Sequence, residues 1–172
     1  MTGKTTLALA LIGAMMASPA PSLAQAAAKP SVTKSVVNGL TVWRSPSPTT
    51  PGAVQCSTAV TLTNSSGGAA PKLTITYYRA ANGNGQVELQ IPSPWVADRP
   101  ELTLAIGNSS VSGPVDLRGK AEGYVSFTRP RNAFNTVRAG QGTATISFDG
   151  KSFSWTAPSF DTVLQALEQC QP

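Results

Sequence analysis

The stretch from Leu73 to Ile91 reads LTITYYRAANGNGQVELQI. Apolar and polar residues alternate in both of its halves, which is the two-residue period of a β-strand. Between the halves, Asn82-Gly83-Asn84-Gly85 supplies residues that accept positive φ angles, as tight hairpin turns require. The stretch therefore predicts an antiparallel β-hairpin.

Similar alternation recurs on both sides of this hairpin. It predicts strands at 40–43, 54–62, 102–106, 144–148 and 153–155, with weaker strands at 115–117 and 124–127. Asp149-Gly150 predicts a second hairpin between the strands at 144–148 and 153–155. These short strands favour an antiparallel β-sandwich, a mainly β fold class.

Two helices complete the predicted fold. A short one is expected near 132–139, with Gly140 in the place of a C-cap glycine. The other is expected near 160–169, with Ser159 or Asp161 as its N-cap. Its apolar residues recur at helical spacing, and Cys170 is the next position on the same face.

The length of 172 residues is that of one globular domain, and 41% hydrophobic residues exclude wholesale disorder. An apolar run at 7–17, followed by the small-x-small site Ser22-Leu23-Ala24, predicts a signal peptide over 1–24. A flexible leader is expected over 25–35 and a single β-sandwich domain over 36–172. We therefore expect a periplasmic, secreted or outer-membrane-associated protein that is not integral to the membrane.

The chain has only two cysteines, Cys56 and Cys170. In an exported protein such a pair favours a disulfide over a metal site or a free nucleophile. Two unpaired, buried thiols are the alternative.

The absence of histidine removes the Ser-His and Cys-His catalytic arrangements and the common zinc sites. Asp98 and Glu101, which flank an Arg-Pro pair near Trp95, could form the carboxylate pair of a glycoside hydrolase. A solvated turn is the favoured interpretation, because active-site carboxylates usually come from separate elements. No enzyme activity, metal or cofactor is expected.

The formal net charge is +5, and basic residues are crowded into one segment. These are Arg118, Lys120, Arg129, Arg131 and Arg138. They could form a patch for an anionic partner such as lipopolysaccharide phosphates, host glycans or phospholipid head groups, although solvated arginines are the favoured interpretation. Nucleic acid is not expected, because the chain is predicted to be exported and lacks an aromatic–basic ladder.

The chain has three tryptophans, Trp43, Trp95 and Trp155, and each falls in or next to a predicted strand. For all three, core packing is expected rather than a stacking platform for carbohydrate.

The order of these elements resembles the invasion-associated locus B family of exported bacterial proteins. The likeness rests on the early Trp strand at 39–43, Leu89-Gln90-Ile91-Pro92, and the segments 101–108, 134–140 and 160–167. The chain departs from the family where Gly119–Tyr124 replaces its central cysteine pair and Arg44-Ser45 replaces an early cysteine. The resemblance implies a periplasmic or surface-associated role, tied in some members to host-cell entry, and no defined reaction.

Together these features predict an exported, non-enzymatic protein that acts by binding an envelope or host-surface component. A hydrolase of envelope polysaccharide and a periplasmic inhibitor or immunity-type protein are the alternatives.

Overall fold

The computed structural model describes residues 31–48, 50–64, 66–79, 84–96, 101–155 and 158–170. Its strands are β1 (Thr33–Val37), β2 (Leu40–Pro46), β3 (Val54–Thr61), β4 (Thr63–Asn64), β5 (Lys72–Arg79), β6 (Gly85–Pro92), β7 (Glu101–Ile106), β8 (Ser109–Pro114), β9 (Tyr124–Pro130), β10 (Ala144–Phe148) and β11 (Lys151–Trp155). Its α-helices are α1 (Asn135–Arg138) and α2 (Phe160–Cys170), and 3₁₀ turns occur at Ser93–Trp95, Lys120–Glu122 and Arg131–Phe134.

The strands form two antiparallel sheets. The six-stranded sheet has the order β1-β2-β3-β5-β6-β9, and the five-stranded sheet has the order β4-β11-β10-β7-β8. The predicted hairpin of β5 and β6 lies inside the larger sheet, with Ile75 opposite Leu89. The inward-facing residues of both sheets join one apolar core. The predicted mainly β, sandwich-like fold is confirmed.

A chain of aromatic rings links the helical segments to both sheets. Phe134, in the turn before α1, lies 6.5 Å from the ring of Phe127 on β9 and 5.6 Å from Phe160 on α2. The ring of Phe160 lies 5.7 Å from Trp155 on β11. Helix α2 therefore docks through its first residue into the aromatic part of the core.

The two predicted helices are confirmed, and α2 is tied to the larger sheet at its other end. The Ser159 hydroxyl accepts a hydrogen bond from the backbone N–H of Thr162 at 3.2 Å, so Ser159 acts as the N-cap. Cys170, the last residue of α2, forms a disulfide with the buried Cys56 on β3. The expected bridge is confirmed, and the alternative of two free thiols is excluded.

The folded part of the chain begins earlier than the sequence indicated. Strand β1 starts at Thr33, inside the segment 25–35 that was expected to be a leader. The reason is a tight turn at Asn38 and Gly39, both with positive φ, which returns the chain into β2. Residues 1–30, with the predicted signal peptide, lie outside the described residues.

Strand β8 was not predicted, and the strand expected at 115–117 is reduced to a single bridge between Asp116 and Ser126. Ser109–Pro114 reads SSVSGP, which lacks apolar alternation because it forms an exposed edge of the smaller sheet. Proline and small polar residues are tolerated at such an edge.

Gly140 has a different role from the one expected. It is not among the glycines with positive φ, so it is not a left-handed C-cap. A Cβ atom there would lie 2.6 Å from the carbonyl oxygen of Ile106. Glycine therefore allows the end of α1 to approach β7 closely.

Candidate functional site

The outer face of the six-stranded sheet is polar. Leu89 on β6 and Phe127 on β9 turn inward and are fully buried, so the residues that alternate with them face outward. Strand pairing places Thr76, Glu88 and Thr128 side by side on β5, β6 and β9. Thr76 is only 4% exposed, so it lies on the floor of a depression in this face.

This depression is a cleft of about 500 Å³, which we call the outer cleft. Its lining combines hydroxyl, amide, carboxylate and guanidinium groups: Pro48, Gln55, Thr76, Tyr78, Glu88, Gln90, Asp116, Arg118, Gly119, Glu122, Tyr124, Ser126 and Thr128. Ligand sites usually have volumes of a few hundred Å³ and a few convergent polar groups. The outer cleft has the size and chemistry of a binding site for a small molecule or for part of an oligomeric ligand.

One wall of the cleft is the segment from Asp116 to Glu122. Backbone hydrogen bonds join Asp116 to Ser126 in both directions, at 2.7 and 3.0 Å. The Asp116 carboxylate accepts hydrogen bonds from the backbone N–H of Arg118 at 2.9 Å and from its Nε at 2.7 Å. These hydrogen bonds hold the pKa of Asp116 below its usual value, so the carboxylate stays ionised at neutral pH.

Tyr124 packs against the same wall. A Cβ atom at Gly119 would lie 2.6 Å from the Tyr124 ring, so only glycine at this position leaves room for the ring. Burial raises the pKa of Tyr124, and a hydrogen bond to Glu122 raises it further. The phenol therefore stays protonated at neutral pH and can donate a hydrogen bond.

Tyr78 contributes a second phenol to the cleft. Burial raises the pKa of Tyr78, and the negative charge of Glu88 adds to this effect, against a hydrogen bond with Thr128 that lowers it. The cleft thus presents two neutral phenols beside carboxylates. Among the described residues of its lining, Arg118 is the one that carries a positive charge.

The outer face of the sheet continues beyond the cleft to Trp43. Cross-strand pairing aligns one residue from each strand of the sheet in what we call the outer row: Lys34, Trp43, Ser57, Thr76, Glu88 and Thr128. Trp43 is half-buried and is not among the partly buried apolar residues that pack on the core, whereas Trp95 is. Trp155 is buried in the core. The prediction of core packing was therefore right for Trp95 and Trp155 and wrong for Trp43.

The five basic residues proposed as an anion-binding patch are divided by the structure. Arg131 donates to Glu168 at 2.7 Å, and Arg138 donates to Asp161 at 2.7 Å and to Glu168 at 3.1 Å. The hydrogen bond to Glu168 raises the pKa of Arg131. These two arginines attach α2 to the segment around α1, and their charges are balanced by acids of α2.

The other three basic residues lie elsewhere. Arg129 faces inward, with its guanidinium 4.3 Å from the centre of the Phe127 ring and a hydrogen bond of 2.8 Å to the carbonyl oxygen of Thr128. Arg118 is highly exposed and paired with Asp116, and Lys120 lies in the 3₁₀ turn of the cleft wall. The five residues do not share one surface patch.

Replacing Glu168 by Gln should lower the free energy of unfolding by about 2 kcal/mol, because charge-assisted hydrogen bonds to both Arg131 and Arg138 are weakened. Urea unfolding of the purified protein measures this. The matched control is Asp116→Asn, which removes the charge of an exposed pair and should leave the unfolding midpoint unchanged. Equal effects of both substitutions would contradict a structural role for the Glu168 network.

Glu101, one of the two carboxylates suggested for hydrolysis, does not line the outer cleft. Asp98 lies outside the described residues, and Glu101 is exposed at the start of β7 in the other sheet. Within the described ranges, no three cysteine, aspartate or glutamate side chains are grouped so that they could hold a metal ion. No helix of the described part is both long and apolar enough to cross a bilayer.

Comparison of the chain with models of known protein families, with curated proteins and with solved structures finds no match.

Sequence reasoning missed the lining of the outer cleft, although a signal for it exists. In 74–78 and 86–91 the residues that alternate with the inward-facing ones are Thr, Tyr, Gln and Glu. This is a polar face that carries long hydrogen-bonding side chains rather than a face of short, repetitive ones. The polar residues of the alternating pattern, which face away from the core, therefore include Tyr78, Glu88 and Gln90 of the cleft lining.

Proposed function

We propose that this protein is exported and non-enzymatic, and that it binds a hydroxyl-rich saccharide in the outer cleft. The observation that carries the proposal is the lining of this cleft, which gathers hydroxyls, side-chain amides, carboxylates and two phenols on one open face. An envelope or host-surface glycan is the component that it would recognise. Export, and membership of the invasion-associated locus B family, stay predictions that rest on the sequence.

A saccharide matches this lining because each ring is amphipathic. Its hydroxyls donate to carboxylates such as Glu88 and accept from the phenol of Tyr78. Its C–H faces pack against aromatic rings and lose contact with water. A strongly anionic ligand suits the cleft less well, since three carboxylates lie in its lining beside one guanidinium.

Asp116 does not have the protonation state that the general acid of a hydrolase needs. A glycoside hydrolase needs one carboxylic acid that stays protonated beside the bond to be cleaved. In Asp116 the hydrogen bonds from Arg118 act in the opposite direction, because they stabilise the ionised form.

The test is a titration of the mature protein with β-linked N-acetylglucosamine oligomers by calorimetry, beside heparin as an anionic polymer. Neutral oligomers should bind and heparin should not. Glu88→Gln should weaken oligomer binding about tenfold, because a charge-assisted hydrogen bond to a sugar hydroxyl becomes a neutral one.

The matched control is Glu101→Gln, the same substitution at an exposed residue of the other sheet, which should leave the affinity unchanged. Release of shorter sugars during the titration would overturn the non-enzymatic part of the proposal. Failure of every oligomer to bind, or tighter binding of heparin than of the neutral oligomers, would overturn the saccharide assignment.

A further inference from the structure

We infer that Trp43 forms a second binding subsite, which stacks on a sugar ring of a chain that runs from the outer cleft across the strands. This inference rests on the proposed function and extends it from a single site to an extended one. The ligand is then a linear oligosaccharide, and its chain lies along the outer row.

The register of the sheet sets the spacing between the two subsites. From Trp43 on β2 the outer row passes Ser57 on β3 and Thr76 on β5 before it reaches Glu88 on β6. Neighbouring strands lie about 4.8 Å apart, so three steps place Trp43 about 14 Å from Glu88. Trp43 is not among the described lining residues of the cleft, so a ligand confined to the cleft does not reach it, whereas a chain of several rings does.

The outer row carries no bulky side chain between the two subsites. Ser57 has a short side chain, and Thr76 is nearly buried on the cleft floor. A chain can therefore leave the cleft over Ser57 without meeting a bulky side chain in the row. Beyond Trp43 the row ends at Lys34 on the edge strand β1, whose side chain is exposed.

The position of Trp43 is unusual among the tryptophans of this chain. Trp155 is buried in the core, and Trp95 packs on it with its ring 5.6 Å from Phe153. Trp43 takes part in no ring contact among the described residues, and its neighbours in the row, Lys34 and Ser57, are hydrophilic. A large apolar ring kept on a polar face next to a cleft is a stacking surface for an amphipathic ligand.

The experiment is a chain-length series of N-acetylglucosamine oligomers, with two to six rings, titrated into the full mature protein and into Trp43→Ala. In the unchanged protein the affinity should rise about tenfold between short and long oligomers, when the chain reaches Trp43. In Trp43→Ala this rise should disappear, while the affinity for the shortest binding oligomer stays the same.

The matched controls separate this inference from the proposed function. Trp95→Ala removes a half-buried tryptophan of the 3₁₀ turn after β6, whose ring packs against Phe153 and not on the outer row, and it should keep the rise with length. Trp43→Phe should restore part of the rise that Trp43→Ala removes. Glu88→Gln should lower the affinity for short and for long oligomers by the same factor. An equal loss for all lengths in Trp43→Ala, or no loss at all, would overturn the second subsite and leave the cleft assignment standing. Absence of binding by every oligomer would overturn both.

Discussion

Reduction of the Cys56–Cys170 bridge will lower the free energy of unfolding by about 4–5 kcal/mol. The bridge joins residues 114 positions apart, so it removes a large share of the conformational freedom of the unfolded chain. In the chain-entropy model a loop of about 100 residues corresponds to about 4.7 kcal/mol. Small domains have net stabilities of about 5–15 kcal/mol, so the reduced protein should be close to the limit of folding.

The measurement is urea unfolding with and without dithiothreitol, followed by tryptophan fluorescence. The double substitution Cys56→Ala and Cys170→Ala should reproduce the effect of the reductant, and adding reductant to this variant should change nothing. If reduction moves the unfolding midpoint of the unchanged protein no more than that of the double variant, the bridge does not stabilise the fold by constraining the unfolded chain.

The strand content could be predicted because it rests on local alternation. In β6 every second residue is buried (Val87, Leu89 and Ile91), and in β5 Leu73 and Ile75 are buried in the same way, so the period is visible without knowledge of the partner strand. Strand β8 lacks this signal, because it is an edge strand whose only buried residue is Gly113. Strand β1 was assigned to the leader for a similar reason, since four of its five residues are exposed and only the turn at Asn38-Gly39 marks it.

The candidate site could not be predicted from charge. Arg131 and Arg138 are close in sequence to Arg118, but their acidic partners Asp161 and Glu168 come from a helix far along the chain. The sequence therefore left all five basic residues as candidates for binding an anion, although Asp161 and Glu168 neutralise Arg131 and Arg138 in the folded protein. Ion pairing between distant elements is a property of the tertiary structure, and one-dimensional charge counts do not include it.

The disulfide and the outer cleft lie on opposite faces of one sheet. Cys56 points inward from β3, whereas Gln55 and Ser57, its neighbours in the chain, lie on the outer face. Helix α2 packs against β2, β3 and β5 from the inner side and is joined to the sheet by the bridge. The strands that carry Trp43 and the cleft floor are therefore supported from behind by α2, which keeps the spacing of the outer row fixed.

The second large effect is expected at Phe134. Its side chain is fully buried between Phe127 on β9 and Phe160 on α2. Phe134→Ala should lower the free energy of unfolding by about 3–5 kcal/mol, because it leaves a cavity and removes two ring–ring contacts. Chemical unfolding in urea, with the disulfide intact, gives the difference directly.

Two further variants show whether this loss comes from the ring cluster. Phe134→Leu keeps most of the apolar volume and should cost much less than Phe134→Ala. Val36→Ala truncates a side chain that is 70% exposed and should change stability by less than about 0.5 kcal/mol. If Phe134→Ala costs no more than Val36→Ala, Phe134 is not buried between β9 and α2, and α2 is held to the sandwich by the disulfide and the Glu168 network instead.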